Sequence, residues 1–224
     1  MRALPILSLA ALLATPLAAQ AKPADPDVKV AGGGVPAGWE SRLDDPTASA
    51  SNVKFAPMGG GFHFTTGPAG IYWRAADAVP GSFHTVATFV QTKAPMHPEA
   101  YGLFIAGSDL SGPNQSYIYF LVRGNGQYSI RQRKGATVTD VTSGARNGWT
   151  PNDAVVKQDS TTGKASNTLE IAGNAATKKL TFKVNGKVVQ EIDAPGGTVA
   201  GLVGIRMNHN LDVHIDGFGV HKTG

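Results

Sequence analysis

The chain contains no cysteine. That absence excludes disulfide staples, a thiol nucleophile, cysteine-ligated zinc and a lipid-anchored cysteine near the amino terminus. Charge is also sparse: 16% of residues are Asp, Glu, Lys or Arg, with 20 basic against 16 acidic residues and a formal net charge of +4. The basic residues are scattered, so the chain lacks the basic stripe of a nucleic-acid binder. No segment, the first residues included, reaches the roughly 20 consecutive apolar residues that cross a bilayer as a helix. There is no G-x-S-x-G elbow for a nucleophilic serine, no H-E-x-x-H zinc signature and no phosphate loop. The Gly-rich runs AGGGV and MGGGF lack the Lys-Ser/Thr of such a loop, and Gly59 to Gly61 reads as a bend before a strand.

What is present begins with MRALPILSLAALLATPLAAQA, residues 1–21. Arg2, an apolar stretch centred on Leu7 to Leu13, Pro16 and the small-residue pattern Ala19-Gln20-Ala21 are the marks of a secretory signal peptide, with cleavage expected after Ala21. Loss of Arg2 lowers the formal charge from +4 to +3. The expected location is therefore the periplasm or the medium, with no membrane anchor. A mature chain of about 200 residues buries roughly 70% of its unfolded surface, enough for one core without disulfides.

Residues 22–38, KPADPDVKVAGGGVPAG, have almost no large apolar side chain and read as a flexible leader. From Trp39 the pattern changes to short alternating or apolar runs separated by Gly, Pro, Asn and Asp, which predicts an all-β two-sheet sandwich over residues 39–224 as a single domain. Strands are expected at 61–65, 71–74, 84–92, 101–106, 116–123, 127–133, 154–157, 168–172, 179–184, 187–192, 202–207 and 211–220. Asn125-Gly126 and Asn185-Gly186 are hairpin turns, because Asn-Gly readily takes the positive φ angles of a type I′ turn. A two-residue turn at the second pairs Val184 with Lys187 and Phe182 with Val189. At the first it places Tyr119, Leu121, Tyr128 and Ile130 on one face, and sets Ile118, Phe120 and Val122 opposite Arg133, Arg131 and Ser129. Arginines seldom line a dry core, because an unpaired buried charge costs several kcal/mol, so that second face is expected to be wet and concave.

The segment NTLEIAGNAATKKLTFKVNGKVVQEI, residues 167–192, followed by GLVGIRMNHNLDVHIDGFGV, residues 201–220, resembles the ending of the concanavalin A-like lectin and glucanase superfamily. Within that group it looks most like the family labelled 3-keto-disaccharide hydrolase domain, in its Gly201 to Arg206 strand, His209 at the bend and the alternating Val213 to Val220. The resemblance implies an antiparallel jelly-roll whose concave sheet binds or processes carbohydrate. It also implies structural calcium near a sheet edge, for which Asp216 and Asp109 offer oxygen ligands; no cofactor is otherwise required.

For sugar binding, aromatic faces stack on a pyranose while planar polar groups take hydroxyls; Trp73, Arg74, Tyr101, Phe120 and Arg131 have that chemistry. For acid–base catalysis the candidates are His209, His214, His97 and Glu99, each His needing a carboxylate to hold its tautomer. Asp212 and Asp216 lie about 13 Å apart on a regular strand, too far for the carboxyl pair of a retaining glycosidase. If residues 201–220 form a hairpin, an Asn208-His209-Asn210 loop pairs Met207 with Leu211 and sets Arg206 against Asp212. The leading expectation is an exported carbohydrate-binding protein; the alternatives are a glycoside hydrolase using His and carboxylates, and a structural or adhesion module with no small ligand.

Overall fold

The computed structural model describes residues 25–142 and 147–223. The expected signal peptide and its cleavage point lie outside the described residues. In chain order the strands are β1 (Glu40–Leu43), β2 (Val53–Met58), β3 (Gly61–Thr66), β4 (Gly70–Val79), β5 (Phe83–Gln91), β6 (Ala100–Ser108), β7 (Ser116–Arg123) and β8 (Gln127–Lys134). They continue as β9 (Thr137–Asp140), β10 (Thr150–Pro151), β11 (Ala165–Asn174), β12 (Lys179–Val184), β13 (Lys187–Asp193), β14 (Gly201–Met207) and β15 (Asp212–Lys222). One sheet runs β1-β4-β14-β6-β7-β8-β10 with β9 also on β8; the other runs β13-β12-β11-β5-β15-β3-β2. All of these pairings are antiparallel.

The two sheets differ in how their strands alternate, and the difference locates the site. In the second sheet, β5 and β11 bury every other residue, so Phe83, Ala87, Phe89, Leu169 and Ile171 face the core and their neighbours face water. In the first sheet, β6 and β7 are buried on both faces, as the near-continuous runs AYGLFIA and YIYFLV require. Their inward set, Tyr101, Leu103, Ile105, Ile118, Phe120 and Val122, fills the sandwich. Their outward set, Phe104, Tyr117, Tyr119 and Leu121, joins Ile71, Trp73 and Leu110 in a separate apolar cluster beneath the loop after β6. Arg42 ties that loop down, donating from Nη1 to the carbonyls of Leu110 at 2.9 Å and Gly112 at 2.5 Å.

Most expected strands form where the sequence places them, but the segment 154–157 does not. Asn152 turns the chain there, its Oδ1 accepting from Ala154 N at 2.9 Å and its carbonyl from Val155 N at 3.1 Å, while Ala154 and Val155 are buried as loop residues. Two register expectations change at the hairpins. The Asn125-Gly126 turn has a three-residue loop, since Arg123 pairs with Gln127 and Val122 with Tyr128. Ile118, Phe120 and Val122 therefore join Tyr128 and Ile130 in the core, and the arginines face outward beside Tyr117, Tyr119 and Leu121. At Asn185-Gly186, Val184 pairs with Lys187 as expected, but a bulge between Phe182 and Lys183 sets Phe182 opposite Gln190, not Val189.

The largest correction concerns residues 201–220, which are not a hairpin. β14 lies between β4 and β6 in one sheet, and β15 between β3 and β5 in the other. The link crosses from sheet to sheet, with Asn208 N bonded to Ala100 O at 2.9 Å and Asn210 N to Gly67 O at 3.0 Å. Arg206 consequently never meets Asp212. Asp212 is held by Thr92, Lys93 and His63, and although burial raises its carboxyl pKa, those partners leave it below the ordinary value.

Candidate functional site: an arginine-lined sheet face and an adjoining His–carboxylate corner

The register of β7 against β8 sets Arg123 beside Gln127, Leu121 beside Ser129, Tyr119 beside Arg131 and Tyr117 beside Arg133, all on the outward face of the first sheet. Trp149, just before β10, folds back over this face. The Arg123 guanidinium lies 4.0 Å from its ring centre and that of Arg131 lies 5.6 Å away. Asp140, opposite Arg131 on β9, meets its Nε at 2.9 Å. Burial holds the Arg123 pKa below its ordinary value, and Arg131 adds to this while Glu99 opposes it. Among the described residues, Ser129 Oγ, Arg133 Nε and Arg206 Nε are buried on this face without a hydrogen-bond partner.

Arg206 on β14 points onto the same face, because it pairs with Gly102 and Ile71. Its guanidinium grips Asp44, Nη1 to Oδ1 at 2.7 Å and Nη2 to Oδ2 at 2.5 Å, and lies 5.7 Å from the Tyr119 ring. Burial would raise the Asp44 carboxyl pKa, but Arg206, then Arg133 and Arg42, hold it below its ordinary value.

A polar chain leads from there to a second cluster. Arg206 Nη2 donates to Asn208 Oδ1 at 3.5 Å, and Asn208 Nδ2 donates to Glu99 Oε2 at 3.2 Å. The other oxygen of Glu99 lies 3.0 Å from His209 Nε2. His209 Nδ1 faces Asp27 Oδ1 at 3.3 Å, and Asp25 Oδ2 lies 3.9 Å from His209 Nε2 and 4.0 Å from His97 Nε2. Residues 25–28, read from sequence as part of a flexible leader, run along this corner. Asn210 Oδ1 accepts from Val28 N at 2.7 Å, and Asn210 Nδ2 donates to Asp25 Oδ1 at 3.0 Å.

The structure thus brings together three of the four candidate catalytic residues, His97, Glu99 and His209. His214 is elsewhere, on the outer face of the second sheet, 3.0 Å from Asp216 Oδ1 and stacked on His63. The five expected sugar-binding residues scatter. Arg131 lies half-buried on the arginine-lined face. Trp73 shares that face but is only 2% exposed, under the Leu110 loop. Arg74 points to the other side, 4.9 Å from the Trp39 ring centre and paired with Asp77 at 2.7 Å. Tyr101 and Phe120 have no exposed surface and fill the core between the sheets, where burial pushes the Tyr101 hydroxyl pKa up to about 12. A ring with no free face cannot stack on a sugar.

Asp109 lies in the loop after β6 of the first sheet and Asp216 in β15 of the second, and they share no site. Asp109 Oδ2 accepts from Asn114 N at 2.9 Å, which closes the loop after β6. Among the described residues, the grouping of three or more His, Asp or Glu whose ligand atoms lie within 4.8 Å of one another is Asp25, Glu99 and His209. Neither expected calcium ligand, Asp109 or Asp216, belongs to that grouping. Trp149, Tyr119, Arg123 and the Asp44–Arg206 pair went unseen in the sequence. The signal that could have found them was register: a three-residue loop at Gly124-Asn125-Gly126 is the one that segregates Tyr128 and Ile130 from the arginines.

No protein-family model matches the chain, and no curated protein matches it in sequence. Solved structures do match. Carbohydrate binding module CBM66 from Bacillus subtilis superposes with a TM-score of 0.57 at 9% identity, over 87% of this chain and 100% of that one. A Bacillus subtilis protein of unknown function with a galectin-like fold gives 0.53 at 12%, over 82% and 89%. A cysteine-substituted alginate lyase A1-II′ gives 0.51 at 13%, over 83% and 94%. The fold is a jelly-roll sandwich of the concanavalin A-like kind. No helix among the described residues is long and apolar enough to cross a membrane.

Proposed function

We propose that this protein is an exported carbohydrate-binding jelly-roll whose ligand lies on the outward face of the first sheet. The observation that carries the reading is the grouping of the partly exposed Trp149 ring with the guanidiniums of Arg123 and Arg131, beside buried donors that lack a protein partner. An aromatic ring offers its face to the apolar side of a pyranose, and guanidinium forks and carboxylates take the hydroxyls. The fold of a carbohydrate binding module supports the class of ligand, and the resemblance of residues 167–220 to the 3-keto-disaccharide hydrolase family points the same way. Export rests on residues 1–21, and intact-mass measurement of the secreted protein should find Lys22 as its first residue.

The test is a screen of the mature chain against immobilised oligosaccharides and soluble polysaccharides, neutral and acidic. Saturable binding to a glycan class that Trp149→Ala weakens supports the reading; absence of binding across the screen overturns it. A second reading, glycoside hydrolysis, is favoured by one distance, the 3.0 Å between His209 Nε2 and Glu99 Oε1. Release of reducing sugar from a bound glycan, abolished by Glu99→Gln, would replace the binding role with turnover.

A further inference from the structure

The corner formed by Asp25, His97, Glu99 and His209 leaves a specific chemical question. Carboxylate oxygens sit at both ring nitrogens of His209, Asp27 Oδ1 at 3.3 Å from Nδ1 and Glu99 Oε1 at 3.0 Å from Nε2, whereas a neutral imidazole has one N–H to give. With that N–H turned to Asp27, the Nε2 lone pair faces Glu99, while Asp25 Oδ2 and His97 Nε2, 4.0 Å apart, are buried without a hydrogen-bond partner among the described residues. A cation between Nε2 and the two carboxylates satisfies these acceptors at once.

We infer that Asp25, Glu99 and His209, with His97 alongside, form a binding site for a divalent transition ion of the zinc class. Their donor atoms lie within 4.8 Å of one another, and the separations of 3.0 Å from His209 to Glu99 and 3.9 Å from His209 to Asp25 bracket the spacing of about 3.4 Å that ligands take around a tetrahedral ion at about 2.1 Å. An imidazole with two carboxylates suits zinc and its neighbours better than calcium or magnesium, which prefer all-oxygen shells. The surroundings have the form of an outer ligand shell. Asp27 orients the His209 ring through Nδ1, and Asn208 Nδ2 holds the second oxygen of Glu99 at 3.2 Å. Three protein donors leave the fourth tetrahedral position to water. The ion fastens three separate segments: residues 25–28, the β5–β6 link carrying Glu99, and the β14–β15 corner carrying His209. This inference is independent of the glycan-binding reading.

The experiment uses the mature chain without a polyhistidine tag, stripped with chelator and titrated with zinc, then with calcium and magnesium. One equivalent of zinc should bind tightly and raise Tm by several degrees, and cobalt should give the intense visible absorption of a tetrahedral ion. His209→Gln and Asp25→Asn should each weaken zinc binding at least tenfold, while the distant His214→Gln leaves it unchanged. If Glu99→Gln does not fold, the cobalt spectrum of the wild-type chain still decides the question. The inference is overturned if zinc shows no saturable binding, if calcium binds as well as zinc, or if NMR finds both His209 ring nitrogens protonated with zinc present.

Discussion

Arg206 and Asp44 are joined through both prongs of the guanidinium although 162 residues separate them in the chain. The pair is lopsided, because the Arg206 side chain is 8% exposed and that of Asp44 is 32% exposed. Removing the carboxylate strands a buried cation, which costs about 3 kcal/mol. Asp44→Ala should therefore lower Tm by roughly 6–12 °C, at 2–4 °C per kcal/mol for a chain of this size. Arg206→Met added to Asp44→Ala should restore much of the loss, since it removes the stranded charge, and thermal unfolding of both variants checks this. The Asp44 carboxyl is held below its ordinary pKa, so the stability it contributes is complete above the unfolded value near pH 4 and is lost as pH falls through the lower folded value. The Tm gap between wild type and Asp44→Asn should accordingly narrow in acid below about pH 4.

Phe120 and Trp149 separate the roles of core and face. Phe120 has no exposed surface and packs edge-on to Phe182 at 5.3 Å, so Phe120→Ala should cost about 3–5 kcal/mol by denaturant unfolding. The milder Phe120→Leu should leave glycan affinity unchanged. Trp149→Ala should instead lower affinity about tenfold, ~1.4 kcal/mol, at a smaller loss of stability. Equal loss of binding in Phe120→Leu and Trp149→Ala would remove Trp149 from the site.

The contrast between those two residues shows what the sequence can carry. Alternation and Gly/Asn/Pro punctuation are local properties, and they located the long strands and both Asn-Gly turns. Sheet membership is not local. The strands β14 and β15 are separated by a bend that reads equally well as a hairpin, and only packing against β4 and β6 on one side and β3 and β5 on the other assigns them to different sheets. Ring type did not distinguish Phe120 from Tyr119, because a one-residue register change moves every side chain to the opposite face. His97, Glu99 and His209 were legible as candidates by their chemistry. Asp25 was not, since nothing in a Pro- and Ala-rich leader ties it to a residue 185 positions away at Asn210.

Asn185 does more than supply a turn. It sits at φ 51°, accepts from Thr168 N through Oδ1 at 2.8 Å, and donates from Nδ2 to Ala154 O at 2.8 Å and Asn167 Oδ1 at 3.0 Å. Asn185→Gly keeps the positive φ but drops three hydrogen bonds, whereas Asn185→Ala also adds left-handed strain of about 1–2 kcal/mol. Asn185→Gly should destabilise by about 1–3 kcal/mol and Asn185→Ala by more, read from urea midpoints. Equal stability of the Gly variant and wild type would mean that the side-chain bonds contribute nothing.

Gly148 and Gly186 provide a matched pair for testing the face. Both have φ +77°, so alanine at either meets the same backbone penalty of about 1–2 kcal/mol. A Cβ at Gly186 would meet nothing within 4 Å. At Gly148 it would fall 2.2 Å from Arg131 Nη2 and 2.5 Å from Asp140 Oδ1, directly on their ion pair. The obstructing atoms are side-chain ends, so they can move aside, and with Asp140 47% exposed the pair contributes only about 0–1 kcal/mol. Gly148→Ala and Gly186→Ala should therefore lose similar stability by thermal unfolding. Their glycan affinities should diverge, because Gly148→Ala displaces the Arg131 guanidinium from beside Trp149 and Gly186→Ala leaves it in place. If both variants bind glycan like wild type, Arg131 takes no part in recognition and the binding surface lies elsewhere on the sandwich.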